Sequence, residues 1–593
     1  MASENLKNSI HSKVENPIFT TDIQRHKFEK KIVENFILIW LDKNIYETFE
    51  QYENPLQLFQ LYINTIKLFS NPNEFYEFIQ NIKEEKLFII TSGTIGEKII
   101  PHIETQTYIH SIYIYCNNRE HYEKWTKDIQ KVKGVYTDLQ SIRDAFRRDI
   151  RQANNDLISI SILPNINSNE LKQSFICSLL LKEILIHSES NEQKKIDFIE
   201  YSHFHYNENF SQLNIINQYK NNTYNQISPI EWYTRECFIY SMINRTLRLY
   251  DIEILNKISF FIYDLHEQIK YLHMKINDNK KLIVYYGQGI LNEQFNQLYM
   301  NINGLICFNN FLLTTINKES SYVFAKQSEN DINLVCILFQ IEINYLNTLC
   351  PFIKLDELDY YHDTDQYILF SLNPIFQINK IERIENKLWQ INLILIDNNN
   401  NKLKDLTYTI QKKYEKSNKF YLLGQIIFEM NDLIKAKYIF EILLQNTMKN
   451  KQKNLYNIHR MLGRINQKMN NFPKALFHYQ ECINIQSSSH TSSKDFLLSP
   501  TFAAIGAILE KLGDYNEAMK YFQQALNHSH YITEFDSSIT AIFYINIGRI
   551  FYKQKQNLEA QKNFQLALKF QQNARIHDDN LLTEINYYLA KVS

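Results

Sequence analysis

Three short segments place polar or ring-bearing side chains on apparent strands: Val284–Gly289, Phe308–Thr315 and Asp363–Phe370. Gly287-Gln288-Gly289 lacks the third glycine of a dinucleotide loop, and no GxxxxGK[ST] occurs. A P-loop or Rossmann site is therefore not expected. With 11 glycines in 593 residues, any nucleotide would need another type of site. Thr314 and Thr315 offer hydroxyls, and Asp363 and Asp365 offer paired carboxylates. A strand period of two puts Asp365 on the same side as Tyr367, displaced by about 6–7 Å. Tyr286 and Tyr367 offer ring faces, although aromatics in strands are more often core. Asp42 follows one apolar run and Ser92-Gly93 another, where parallel sheets hold ligands or phosphate. The reading of these residues as turn and helix N-cap is the stronger one.

The elements that must position these residues fall into blocks. Residues 1–30 read as a polar tail. Residues 31–225 alternate apolar runs (35–41, 86–90, 111–115 and 132–136) with helical stretches, which predicts an α/β domain with a parallel sheet. A helical pattern is expected through Leu68, and residues 151–225 read as a helical extension. Asn217–Pro229 reads as a surface linker. Residues 226–397 begin with aromatic helices and become rich in strands of mostly antiparallel character, an α+β block. The fold expectation is thus multidomain. It runs from an α/β parallel-sheet domain through an α+β domain, with a linker at 398–418, to an all-α solenoid at 419–593.

Net charge is -1, so no basic stripe points to nucleic acid and no polybasic tail to a membrane. The polar start and the lack of about 18 consecutive apolar residues predict a cytoplasmic protein. Seven cysteines, scattered and without a CxxC pair, read as buried reduced thiols. No metal site is expected.

The solenoid is read from an internal repeat. Gly424, Gly463, Gly506 and Gly548 each precede an alanine by twelve residues: Ala436, Ala475, Ala518 and Ala560. An aromatic follows each alanine by four: Phe440, Tyr479, Phe522 and Phe564. Small residues let paired helices approach, and the ring fills the groove beside them. This resembles the TPR family, in four units with a capping helix near 580–592. The resemblance implies a protein or peptide ligand in a groove.

The block 226–397 resembles the arginine-specific mono-ADP-ribosyltransferases of the R-S-E class. Val284-Tyr285-Tyr286-Gly287 is similar to the family's V-Y-R-G segment. Residues 308–315 are similar to F-x-S-F-L-S-T-S, and residues 365–370 to E-x-E-[VI]-L-F. The resemblance implies NAD or NADP as co-substrate, transfer of ADP-ribose to arginine, and release of nicotinamide. The family's Arg, first Ser and catalytic Glu positions fall on Tyr286, Leu313 and Tyr367, and the acceptor-side acidic position on Asp365. Gly287, Phe311, Thr314 and Thr315 would line the dinucleotide. Cleavage of the glycosidic bond builds an oxocarbenium-like cation, which a nearby carboxylate stabilises. A tyrosine is neutral near pH 7. Losing one such stabiliser costs about 100–1000-fold in rate, so impaired or absent transferase activity is expected. The alternative is a non-catalytic scaffold or regulator acting through the TPR array.

Overall fold

The structure, a computed structural model, describes residues 32–45, 55–82, 84–164, 169–187, 192–223, 227–235, 237–276, 281–329, 331, 333–344, 348, 350–358, 366–396, 400, 403–406, 418–450, 455–488, 498–529, 537–573 and 579–592. The chain divides into two compact units, 21–416 and 417–593. The expected tail at 1–30 lies outside the described residues.

The first unit contains two sheets. One has five strands: β1 (Phe36–Leu41), β2 (Thr65–Phe69), β3 (Lys86–Ser92), β4 (Ile109–Tyr115) and β5 (Val132–Tyr136). All are parallel, in the order β2-β1-β3-β4-β5. The central strands are buried on both faces, Leu38 and Trp40 packing one way and Ile37 and Ile39 the other. That two-sided burial is why these strands are continuous apolar runs instead of alternating ones.

Four expectations need correction. Residues 65–69 do not continue a helix; they form the edge strand β2, paired in parallel with β1. Within 151–225, Ile160–Leu163 is a strand, β6, and it pairs with Leu305–Phe308 of the other sheet. Within the expected linker at 217–229, Tyr219–Thr223 is a π-helical turn, with Tyr219 buried against Trp232, Phe198 and Phe238. At 398–418, Leu406 is buried and Leu403 packs with it on Phe175, Leu305 and Ile375, so these two leucines belong to the core of the first unit.

The second sheet is mixed. Its strands are β6, β7 (Leu282–Leu291), β8 (Leu305–Phe308), β9 (Leu312–Thr315), β10 (Leu334–Ile343), β11 (Phe352–Lys354), β12 (Tyr367–Phe370), β13 (Ile375–Arg383) and β14 (Leu388–Leu395). The order is β11-β12-β9-β7-β10-β14-β13-β8-β6. All pairs are antiparallel except β10 with β14. Val284, Phe308, Phe339, Ile368 and Phe376 form its core.

The second unit is helical and TPR-like, built of antiparallel helix pairs. Its helix pairs are Lys419–Glu429 with Leu433–Asn450, Leu455–Lys468 with Phe472–Ser488, Ser499–Lys511 with Tyr515–Ser529, and Ser537–Lys553 with Asn557–Gln572. The helix Asp579–Val592 follows. A Cβ on each repeat glycine would strike the aromatic sixteen residues later. The separations are 2.9 Å for Gly424 and Phe440, 2.6 Å for Gly463 and Tyr479, 3.0 Å for Gly506 and Phe522, and 2.7 Å for Gly548 and Phe564. The four alanines are fully buried. The repeat signature is therefore the contact itself, ring on glycine, four times over.

Each helix pair turns through one left-handed residue, seven after its glycine: Asn431, Asn470, Gly513 and Lys555. The next N–H reaches back to close a Schellman turn, as from Asp514 to Leu509 O (2.9 Å) and from Gln556 to Phe551 O (2.9 Å). Lys555 is exposed and carries a side chain at φ 61, where glycine is unstrained. Lys555→Gly should therefore raise stability by about 0.5–1 kcal/mol. Thermal melting followed by helical circular dichroism would check this, and an unchanged or lower midpoint would refute it.

Candidate functional site

One cleft in the first unit gathers most of the residues singled out in the sequence. Its volume is about 190 Å³, and Tyr286, Gly287, Phe311, Leu313, Thr314, Thr315 and Tyr367 all line it. Asp363 and Asp365 lie outside the described residues. The three segments meet because β9 sits between β7 and β12: Tyr285 and Tyr367 both pair with Thr315, and Leu313 pairs with Leu369.

The individual placements are more structural than chemical. Tyr286 is buried, its ring stacked near Phe339 and edge-on to Phe308. Its hydroxyl donates to the Asn155 carbonyl at 3.1 Å, and burial pushes the phenol well above its usual pKa. Thr314 donates to the Ile368 carbonyl (3.2 Å), and Thr315 Oγ1 accepts from the Asn317 N–H (3.0 Å). Phe311 packs 5.3 Å from Tyr233. Leu313 and Tyr367 are half-buried at the wall. Gly287 lies under the helix Lys318–Lys326, where a Cβ would come within 2.7 Å of Ala325 N and nearer still to the Ser321 carbonyl.

Among the described residues that line the cleft there is no carboxylate; its charged groups are Arg151 and Arg235. Arg235 donates to Glu231 at 2.9 Å and lies 4.9 Å from the Trp232 ring centre. Such a wall can hold an anionic or aromatic group by charge, ring stacking and hydroxyls. Its described residues supply no carboxylate to face a developing cation.

Sequence reading missed Asp156, which ties the end of the helix Leu139–Asp156 to β7 and to Ser328. Its carboxylate accepts from Gly289 N (2.6 Å), Gln152 Nε2 (2.7 Å) and Ser328 Oγ (3.0 Å). Burial raises its pKa to about 6 against those hydrogen bonds. An aspartate closing an amphipathic helix gives no sign of a partner 133 residues away.

The strand-end residues of the parallel sheet are occupied by structure. Asp42 accepts from Asn44 N at 3.0 Å, a turn contact. Ser92 caps the helix Gly93–Ile103 by position, without a side-chain cap bond. Gly93 is covered by Tyr122, whose ring a Cβ there would meet within 2.6 Å.

Residues 500–527 match the family model for the tetratricopeptide repeat, a span within the third helix pair. No curated protein matches the chain. Solved structures similar to it include BtubC from P. vanneervenii, at 19% identity and a TM-score of 0.27 over 29% of this chain and 70% of that one. The Cut9–Hcn1 hetero-tetramer of the APC/C is similar at 14% identity and 0.25 over 32% of each. The apo form of RapI is similar at 16% and 0.26, over 32% of this chain and 54% of that one. At scores this low the likenesses carry no functional argument. No helix among the described residues is long and apolar enough to cross a membrane.

Proposed function

We propose that this chain is a non-catalytic scaffold or regulator that binds partner proteins through its TPR array. One observation carries the reading: the cleft that gathers the motif positions is lined, among its described residues, by no carboxylate, and the Tyr286 hydroxyl is spent on a backbone carbonyl. The repeat match and the four glycine–ring contacts support the protein-binding half. TPR arrays present extended surfaces suited to peptides. In this reading the central domain keeps a fold without its reaction.

A second reading is favoured by the convergence of three distant segments on one cleft. It keeps the central domain as an arginine-specific mono-ADP-ribosyltransferase relative, with NAD or NADP as ligand and slow turnover. Labelled NAD, the full chain and an arginine acceptor separate the two. No transfer above background is expected. Turnover that is lost on Asp365→Ala would overturn the scaffold reading, and calorimetric binding of NAD without turnover would leave the cleft as a sensor of the dinucleotide.

A further inference from the structure

The repeat register shows which residues share the face that successive first helices present. Positions three before, one after and five after the repeat glycine recur every four residues, so they form one row along each first helix. The rows are Tyr421, Gln425 and Glu429; Arg460, Arg464 and Lys468; Ala503, Ala507 and Lys511; and Ile545, Arg549 and Lys553. Contacts between neighbouring first helices run through these rows. Arg464 and Lys468 lie 4.9 and 4.6 Å from the centre of the Phe428 ring. Arg549 and Lys553 both reach Glu510, Lys553 at 3.0 Å.

Charge on this face is one-sided over units two to four. Lys468, Lys511 and Lys553 stand at the same register in three successive units, and Arg464 stands beside them; all four are exposed. Arg460 and Arg549 add two more cations in the rows. Among the described residues, Glu510 and Glu584 meet these rows at the fourth-unit end, both on Arg549, while Glu429 stands in the row of the first unit. Glu510 is buried and is shared by two cations. In the third unit, Ala503 and Ala507 replace the arginines of the second. They leave a partly exposed small-residue floor between the Arg464 and Arg549 rows.

We propose that this face takes an extended acidic segment of a partner protein, backbone over Ala503 and Ala507 and carboxylates over Arg464, Lys468 and Lys511. The inference rests on the TPR array being the protein-binding element, and it names the chemistry of the ligand. First helices about 10 Å apart give three rows a span of about 20–30 Å, the length of roughly eight extended residues. Exposed cations steer and select such a partner more than they tighten it. Binding should therefore be salt-sensitive.

The test uses the full chain and a fluorescent peptide of alternating Glu and Leu, against a Lys–Leu peptide and a Ser–Leu peptide, read by anisotropy. The acidic peptide should bind, weakening with added salt. It should lose about ten-fold or more in affinity in the Arg464→Glu, Lys511→Glu double variant. Both sites are exposed, and unchanged helical circular dichroism would confirm the fold. Arg464→Gln with Lys511→Gln should give an intermediate loss. Acidic-peptide binding that both double variants leave unchanged overturns the proposal, as does no binding at millimolar peptide. Equal binding of the Ser–Leu peptide, insensitive to salt and to both variants, overturns the charge assignment while leaving the array a peptide binder. That outcome separates this inference from the broader one.

Discussion

Gly287→Ala should destabilise the first unit by about 3 kcal/mol or more, at the upper end of what overpacking costs. In an open strand the same change would stabilise by about 0.5–1 kcal/mol, because alanine restricts the unfolded chain. The clash reverses the sign. The added carbon meets backbone atoms, the Ser321 carbonyl and Ala325 N, not a side chain that can swing aside. Relief requires the helix Lys318–Lys326 to lift from β7, which exposes Ala325, now fully buried. Gly289→Ala is the comparison. Its Cβ would meet Ser328 Oγ and Cβ at 2.6 and 2.7 Å; Ser328 Cβ can move only with its backbone, and turning Oγ away breaks its bond to Asp156, so about 1–3 kcal/mol is expected there too. All four tryptophans, Trp40, Trp125, Trp232 and Trp389, lie in the first unit, so fluorescence in denaturant reads this unit alone. If Gly287→Ala unfolds at the wild-type midpoint, the packing account of this glycine is wrong, and a role in close approach of a ligand becomes the better one.

The same glycine shows how far a sequence reaches. A small residue conserves no record of which neighbour needs it small. Gly287 read as a strand residue that the resemblance would set against a dinucleotide, and the structure puts a helix over it. The repeat glycines were legible because their partners lie sixteen residues away, inside the same unit, and recur four times. Edge elements were not legible. Thr65–Phe69 exposes Lys67 and Leu68, so it lacks the unbroken apolar run of β1 and β3; only pairing with β1 makes it a strand. Ile160–Leu163 is four residues long, and its partner β8 is more than a hundred residues downstream. For the cleft, the segments of β7, β9 and β12 could be picked out by type. That they meet around β9 depends on long-range strand pairing that residue types do not show, and Arg151 and Asp156 come from an amphipathic helix whose pattern marks its buried face but not its distant partners.

Arg245→Met should cost about 3–5 kcal/mol, the range for breaking a buried ion pair from one side. Arg245 projects from the helix Phe238–Leu249 to the entry of the parallel sheet. It donates to Glu85 Oε1 at 2.8 Å, just before β3, and to the Glu34 carbonyl at 2.9 Å, just before β1. Methionine fills the volume but leaves the Glu85 carboxylate buried without its cation. Glu85→Gln in the same chain should recover about 1–3 kcal/mol by removing that charge. A second signature comes from Glu34, whose carboxylate accepts from Tyr206 Oη (2.8 Å) and Asn64 N (2.7 Å). Burial lifts its pKa to about 7 from 4.5, against those bonds and the Arg245 charge. A raised folded pKa means that the folded state holds the proton longer. The contribution is fully present below 4.5 and is lost as pH rises through 7. Removing Arg245 takes away one influence that lowers this pKa, so the loss grows and reaches to higher pH. The deficit of Arg245→Met should thus be larger at pH 8 than at pH 5, measured by tryptophan fluorescence in urea. An equal deficit at both would overturn the electrostatic account of Arg245 and leave packing alone as the cause.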